Sequence, residues 1–410
     1  MDQQTARLMF EEGGTLVLLG MPYGTEFGID MNSWNIAEKF KGVKMIPPGL
    51  HFIYYSAVNR EGDTAPRTGF FHVFKQREVL VRHYDPATED LKPADTDEEE
   101  AARIRSNLRN LDRNLGAYPI ESWKKWVSLS QHVSPAELYR MEPISGKICS
   151  VPELIHQISP SEEEDMATSP STSGKSSAGV FSNHSYLKDP DKGTQSLGQD
   201  DKIVQITEYS DSAETEGSAP KKKLPALPNM VQKPGTEMRF SKFPARPYRE
   251  GATPSEITRY SLDSSYTIGQ MVEGIEKPES LLAELQLAFV CFLVGQVWEG
   301  WEHWRKLVLA LCSAEEFICQ NPALYEKFLS ALHFQVHEVP EDLFVDIVES
   351  NNFLASALTS LFANVSDNSE SLPASLVTKA RKFKTHISNK FKWNLTIEDD
   401  GEDAPVVVEM

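Results

Sequence analysis

The pattern of apolar and polar positions divides the chain into a part rich in strands and a part rich in helices. Before residue 85, β-branched and aromatic residues cluster between glycine and proline turn signals. These clusters predict strands at 15–20, 51–56, 69–75 and 78–84. Two residues separate the last pair, which predicts a hairpin. Pro47-Pro48-Gly49 predicts a sharp turn just before the second strand.

Helical spacing begins after residue 97. From 97 to 115, apolar side chains recur every three or four positions behind an acidic first turn, and a glycine and a proline follow. This pattern predicts a helix. A second helix is predicted at 122–131, with two tryptophans and a leucine on one face.

From residue 253 the chain has the pattern of consecutive helices. Thr253 and Glu256 stand three residues apart around Pro254, which is a capping signal for a helix start. Apolar periodicity then predicts helices at 254–272, 278–295, 297–312, 321–336, 340–349, 352–365 and 373–392. The predicted fold class is therefore α+β, with a β-rich N-terminal domain followed by an all-helical C-terminal domain.

A polar segment separates the two parts. Residues 159–220 hold thirteen serines among 62 residues, with twelve acidic side chains against four lysines. Too few apolar groups remain to offset the entropy of ordering, so we predict disorder. Prolines then mix with basic and aromatic residues, which predicts an extended arm. The predicted boundaries are 1–158 for the β-rich domain with its C-terminal helices, 159–232 for the linker, 233–252 for the arm, 253–395 for the helical domain and 396–410 for an acidic, β-prone tail.

Composition narrows the class of protein. The 410 residues suffice for two domains, and a net charge of −19 argues against a protein that coats nucleic acid. The four cysteines form no C-x-x-C pair, which fits a reducing compartment. No secretory signal is visible, and the most apolar run, 287–294, falls well short of the ~20 residues that span a bilayer. We expect a soluble, intracellular protein with no membrane contact.

Glu26, Asp30 and His51 are the first candidates for chemistry. Paired carboxylates suit a hydrolase, but acidic residues in glycine-flanked turns more often accept bonds from backbone N–H groups, so capping is the favoured interpretation. His333 and His337 have zinc-like spacing without the glutamate of H-E-x-x-H. The sequence has no phosphate loop, dinucleotide fingerprint or nucleophile elbow. We predict no catalysis, no cofactor and no metal.

Three further patterns each allow a structural and a functional interpretation. Trp298, Trp301 and Trp304 step along one helix, and packing is favoured over a partner groove. The helix at 373–392 carries a basic stripe, interpreted as a solvated face, with contact to an acidic partner or RNA as the alternative. The valines at 406–408 are either a frayed end or a strand that adds to a partner's sheet.

Short motifs occur in a characteristic order along both parts of the chain. The strand-rich part contains "GTEFGID", "NSW", "FKGVKMIPPG" and "GFF", followed by "YP" and "WKKW". The rest contains "RFS", "EGATP", "AFVCFL", "EHW", "FVDIV" and "APVVVE". In these motifs and their order the chain resembles the A1-cistron splicing factor family. The resemblance fails only across the serine-rich segment.

The resemblance implies a helical domain of VHS-like shape and a protein without catalytic activity. Family members are assembly factors of the U5 small nuclear ribonucleoprotein (snRNP). They bind the RNase H-like domain of its large scaffold protein, a pre-mRNA-processing splicing factor, and keep the RNA helicase off until later. The implied partners are this scaffold protein and the U5 snRNP precursor, with direct RNA contact left open. A monomer before complex formation, located in cytoplasm and nucleus, is expected.

The candidate partner-binding residues are arginine and aromatic side chains, the types that dominate protein interfaces. They are Trp34, Arg239, Phe240, Phe243, Arg246 and Tyr248. The candidate phosphorylation sites Ser159, Ser161 and Ser169 have acidic or proline neighbours. Two alternative functions remain: a VHS-type trafficking adaptor, and a carboxylate-dependent hydrolase that uses Glu26 and Asp30.

Overall fold

The N-terminal part of the fold contains two five-stranded sheets. The computed structural model describes residues 3–59, 61–92, 98–156, 230–339 and 352–395. The strands of the two sheets are β1 (Gly14–Leu19), β2 (Glu26–Ile29), β3 (Asn32–Asn35), β4 (Gly42–Ile46), β5 (Gly49–Ser56), β6 (Thr68–Phe74), β7 (Val79–Asp85), β8 (Asp90–Leu91), β9 (Gly116–Ala117) and β10 (Ile148–Cys149). The first sheet has the order β8-β7-β1-β4-β9 and the second β10-β6-β5-β2-β3.

The four predicted strands are present, but the predicted hairpin is wrong. β6 pairs antiparallel with β5 in the second sheet, whereas β7 pairs parallel with β1 in the first, with Thr15 opposite Val79. Between them Arg77 has a positive φ of 57°. The short connection therefore carries the chain from one sheet to the other, because each strand finds its hydrogen-bond partner in a different sheet.

The second sheet is buried on both faces. Along β5, Ile53 and Tyr55 belong to the core shared with the first sheet, whereas Phe52 and Tyr54 belong to the core shared with the helices. Successive side chains of a strand point to opposite faces, so the second sheet lies between the first sheet and the helices. This explains why β5 is apolar at nearly every position instead of at alternate ones.

The helices of the N-terminal part pack around these sheets. They are α1 (Gln3–Glu12), α2 (Glu98–Ser106), α3 (Leu108–Leu111), α4 (Ile120–Ser130) and α5 (Pro135–Met141), with a 3₁₀ turn at Asp112–Asn114. The sequence pattern did not predict α1 or α5. The single helix predicted at 97–115 is broken, because Asn107 leaves helical geometry with φ −107° and ψ 10°. Asparagine favours such breaks, since its side chain competes for local hydrogen bonds.

From Pro254 on, the described residues form helices joined by short loops. These helices are α6 (Pro254–Leu262), α7 (Ser265–Glu273), α8 (Ser280–Leu293), α9 (Trp298–Cys312), α10 (Glu315–Gln320), α11 (Pro322–Glu338), α12 (Phe353–Asp367) and α13 (Ala374–Phe391). The capping box of Thr253 and Glu256 opens α6 as predicted. The predicted helix at 254–272 is divided where Asp263 becomes extended, and α10 was not predicted. The predicted helix at 340–349 lies outside the described residues.

Helix α4 joins the sheets to the helical part. The indole N–H of Trp126 donates to the Leu50 carbonyl of β5 at 2.6 Å. On the other side, the Gln286 side chain of α8 accepts from the His132 backbone N–H at 2.8 Å and donates to the Ser128 carbonyl at 2.9 Å. One continuous core therefore runs from β5 through α4 into the helices.

The α+β fold class is confirmed: two sheets are followed by a helical region. Met1–Leu154 and Gln232–Met410 form one compact unit. Of the other unit, 155–231, the structure describes only its ends, which lie in the paired strands β11 (Leu154–His156) and β12 (Met230–Gln232). The predicted domain boundaries stay predictions. Among the described residues, no helix is both long and apolar enough to cross a membrane.

Candidate functional site

Asp30, a candidate for acid–base chemistry, is the centre of a buried hydrogen-bond network. It lies between β2 and β3 at a φ of 54° and is fully buried. Its Oδ1 accepts from the Phe52 backbone N–H at 2.9 Å, and its Oδ2 accepts from His51 Nδ1 at 2.7 Å and the Tyr118 hydroxyl at 2.6 Å. Burial, reinforced by the Asp30 charge, raises the pKa of the Tyr118 hydroxyl far above its usual value. The network ties the β2–β3 turn to β5 and to the segment before α4.

The geometry of His51 and Glu26 does not assemble a hydrolytic site. His51 Nε2 faces the Pro47 carbonyl at 2.7 Å, so both ring nitrogens contact acceptors and neither is free to take a proton from a substrate. Glu26 pairs instead with Arg67 at 3.0 Å. The two carboxylates therefore have separate partners, and the sequence stretch is a scaffold around the Pro47 turn.

Trp34, on the outer strand β3, is half-buried in an aromatic cluster. Its ring contacts Phe27 edge-on at 5.4 Å and Phe40 at 6.4 Å between centroids. Phe27 is fully buried, whereas Trp34 keeps part of its surface exposed. Trp34 therefore both closes the core and borders the solvent.

Three candidate residues of the arm, 233–252, contact the protein's own surface. The Arg239 guanidinium donates to the Glu142 carbonyl at 2.6 Å and to the Tyr139 carbonyl. Phe240 stacks on His303 of α9 with 4.4 Å between centroids and an angle of 11°, and Phe243 meets the same ring edge-on at 5.6 Å. These side chains hold the arm against α5 and α9.

Of the other two arm candidates, Arg246 is exposed, and Tyr248 is half-buried like the first three. No helix or strand is present between residues 233 and 252, which are all described. The described arm is thus an irregular strap with an inner half on the folded core and an outer half that begins near Arg246.

A buried carboxylate, Glu284 of α8, fastens the inner half of the arm. Its oxygens accept from the Ser241 backbone N–H at 2.6 Å and the Ser241 hydroxyl at 2.9 Å. Arg140 of α5 lies 3.2 Å away and His303 of α9 lies 2.7 Å away. Burial alone raises the pKa of the Glu284 carboxyl, but His303, Arg140 and Ser241 outweigh it and hold that pKa below its usual value. Glu284 therefore joins the arm to α5, α8 and α9.

The sequence analysis did not find Glu284. The one available signal is a single acidic residue inside the otherwise apolar pattern of α8, where charge is stable only with partners. Its partners Arg140 and Ser241 are 144 and 43 positions away in the sequence. No local pattern could have grouped these three residues.

The three stepped tryptophans of α9 have different surroundings. Trp304 is fully buried, Trp301 is half-buried and Trp298 is 66% exposed. Trp298 borders a cleft of about 260 Å³ between β10, the arm and α9. Its charged lining residues are acidic: Glu153, Glu299 and Glu302.

The remaining candidates are placed as follows. His333 packs beside His386 with 4.6 Å between ring centroids. Among the described residues, no group of three or more His, Cys, Asp or Glu is placed to hold a metal ion. Ser159, Ser161 and Ser169 lie outside the described residues, as do the valines at 406–408.

Comparison with known proteins places both parts of this fold in one family of proteins. The profile "AAR2 N-terminal domain" matches residues 12–143, and "AAR2 C-terminal repeat region" matches residues 240–396. The chain therefore belongs to the AAR2 family, which confirms the resemblance to the A1-cistron splicing factor family.

Similar proteins match along nearly their whole length. Protein AAR2 homolog of Mus musculus is 39% identical over 100% of this chain and 97% of its own length. The homolog of Homo sapiens is 37% identical over the same shares. The homolog of Caenorhabditis elegans is 33% identical over 95% of this chain and 97% of its own length.

Proposed function

We propose that this AAR2-family protein is a non-enzymatic assembly factor of the spliceosomal U5 snRNP. In this proposal it binds the RNase H-like domain of the large scaffold protein and delays incorporation of the helicase. Similarity to AAR2 homologs along the full chain carries the proposal. The arrangement around Asp30 supports a non-catalytic role, because its hydrogen bonds serve the fold.

The proposed mechanism is exclusion by occupied surface. Stable interfaces bury about 1,200 Å² or more and depend on a few aromatic or arginine anchors. Arg246 and Tyr248, on the outer half of the arm, are the proposed anchors, together with the exposed part of Trp34. Phe240 and Phe243 support the arm through their contacts with His303 of α9. Release is proposed to follow phosphorylation in the linker.

The proposal predicts that the outer half of the arm contributes directly to scaffold binding. We expect Arg246→Ala combined with Tyr248→Ala to weaken binding of the RNase H-like domain about tenfold or more, as loss of interface anchors does. Binding is measured by titration calorimetry with the full chain. Tyr23→Ala, at a tyrosine 77% exposed in the β1–β2 loop, serves as the matched control and should bind normally.

Replacing Phe240 distinguishes a residue that supports the arm from residues that contact the scaffold protein directly. Phe240→Ala removes the stack on His303, so it should lower the melting temperature as well as the affinity, whereas the outer double variant should melt normally. Normal affinity in the outer double variant would discard these anchors.

Capture of U5 RNA with the full chain from cell extract would distinguish a splicing role from a trafficking adaptor.

A further inference from the structure

A cleft of about 270 Å³ opens between α12 and α13. Its apolar lining residues are Phe362, Val365, Val377 and Ala380. The rest of the lining consists of Ser366 and Ser369 and two basic residues of α13, Arg381 and Lys384. The cleft can therefore hold a short apolar segment that has acidic residues beside it.

The basic side chains of α13 fall into two groups. Lys379 and Lys390 donate to backbone carbonyls of α11 at 2.5 and 2.9 Å, so they fasten the helix. Arg381, Lys382 and Lys392 are exposed, and Lys384 reaches over the Phe362 ring at 5.9 Å. Arg381 and Lys384 lie on the cleft side of α13 and are called the positive stripe below. Lys382 lies about 160° from Lys384 around the helix axis, at about 100° per residue.

The chain itself supplies a segment of the complementary composition. Residues 396–410 contain six acidic and no basic side chains, with five of the acidic ones at 398–403 and three valines at 406–408. Leu395, just before this segment, is 2% exposed and packs in the core after α13. The first acidic residue of the segment, Glu398, follows this fixed point after three positions in the sequence.

Along residues 398–408, and along α13 from its end toward the cleft, charged residues come first and apolar residues follow. From the end of α13 at Phe391, the stripe comes first, and Val377 in the cleft lies about 21 Å back along the helix at 1.5 Å per residue. An extended chain covers about 3.3 Å per residue, so residues 398–403 reach about 10–26 Å and the valines about 36–43 Å. Antiparallel docking places carboxylates on the stripe and leaves enough chain for the valines to enter the cleft.

We propose that residues 398–408 dock on α13 of the same chain, with the carboxylates on Arg381 and Lys384 and the valines in the cleft. Tethering supplies a millimolar effective concentration, so even a weak contact is well populated. The cleft beside Trp298 is a poorer site, because its charged lining residues are acidic. The proposed contact needs no other protein.

Zero-length carbodiimide cross-linking of the full chain tests this placement. Carboxylates of residues 398–403 should link to the amine of Lys384. Arg381→Glu, which removes no amine, should reduce these links at least fivefold, and so should 1 M salt, where the screening length is about 3 Å. Arg113→Glu, at an exposed arginine of the 3₁₀ turn, is the matched control. Links to other lysines, or links only between two copies of the chain, would overturn the proposal.

Lysine footprinting gives an independent readout in the full chain. In a variant with Glu398, Asp399, Asp400, Glu402 and Asp403 changed to the corresponding amides, Lys384 should acetylate at least fivefold faster. Lys277, exposed in the loop before α8, should react equally in both proteins. Equal rates at Lys384 in the variant and the wild type would refute the contact. Circular dichroism establishes that the variants are folded.

Discussion

At the scale of single residues, Asp30 illustrates how a candidate for chemistry can be a structural group. A buried carboxylate is costly unless its oxygens accept hydrogen bonds, and Asp30 has three donors, two on β5 and one in the segment before α4. The same residue types occur in hydrolases, but here each donor is committed to the fold. Whether such a carboxylate is structural or catalytic depends on its hydrogen-bond partners, and the sequence does not show which residues these are.

The Asp30 network predicts a measurable loss of stability when one donor is removed. Tyr118→Phe deletes only the hydroxyl that donates to Asp30, and a hydrogen bond to a charged group contributes about 1.5–3 kcal/mol. We expect the free energy of unfolding in urea to fall by about that amount. Tyr139→Phe, at a tyrosine 74% exposed, should change it by less than about 0.5 kcal/mol. Two indistinguishable urea midpoints would contradict this role for Tyr118.

At the scale of elements, the arm shows that an irregular segment can be well fixed. It lacks strand or helix hydrogen bonds across 233–252, yet Glu284, Arg239 and Phe240 each attach it to a different neighbour. Attachment through a buried carboxylate makes this element sensitive to pH. The pKa of Glu284 is lower in the folded chain than its ordinary value of 4.5.

Glu284→Gln should destabilise the protein in a pH-dependent manner. A carboxyl whose pKa is depressed on folding contributes stability that is complete above its unfolded pKa and lost as the pH falls through its folded pKa. At pH 7, we expect the variant to lose about 3 kcal/mol, as when one partner of a buried pair is removed. The difference should shrink below about pH 4.5, measured by urea unfolding.

Glu302→Gln provides the control for this pH series. Glu302 also lies in the helical part, but its side chain is 47% exposed, so its replacement should change stability by less than about 0.5 kcal/mol at every pH. A Glu284→Gln difference that stays constant from pH 7 to pH 3.5 would show that the carboxylate charge is not what fastens the arm.

Elements with strong periodicity could be predicted from the sequence, and their pairing could not. β5 follows from its cluster of β-branched and aromatic residues between turn signals, and α13 follows from apolar spacing that records which face is buried. The false hairpin arose because turn chemistry says nothing about which sheet a strand joins. The helix break at Asn107 was missed because it depends on local competition for hydrogen bonds. The Glu284 network was missed because its residues are far apart in the sequence.

At the scale of the whole molecule, charge governs the proposed release from the scaffold. The chain already carries a net charge of −19, and phosphorylation at Ser159, Ser161 or Ser169 would add about −1.5 to −2 each. Added negative charge near an interface acts by like-charge repulsion, which is modest at exposed sites.

Phosphomimetic changes should therefore weaken scaffold binding by a few-fold. For Ser159→Asp with Ser161→Asp, we expect an affinity for the RNase H-like domain up to about fivefold lower, matching about 1 kcal/mol. The alanine pair at the same positions should bind like the wild type. Calorimetry that gives equal affinities for the aspartate and alanine pairs would end this account of release.

The continuous core has a consequence for the integrity of the chain. Phe52 of β5, Trp126 of α4 and Leu285 of α8 are packed in the same cluster, so the two ends of the sequence need each other to cover their apolar surfaces. A protease cut within 157–229 would sever the backbone between these cluster residues, which all lie outside that range. The nicked protein should therefore behave as two complementary fragments that remain associated, and neither fragment should fold alone.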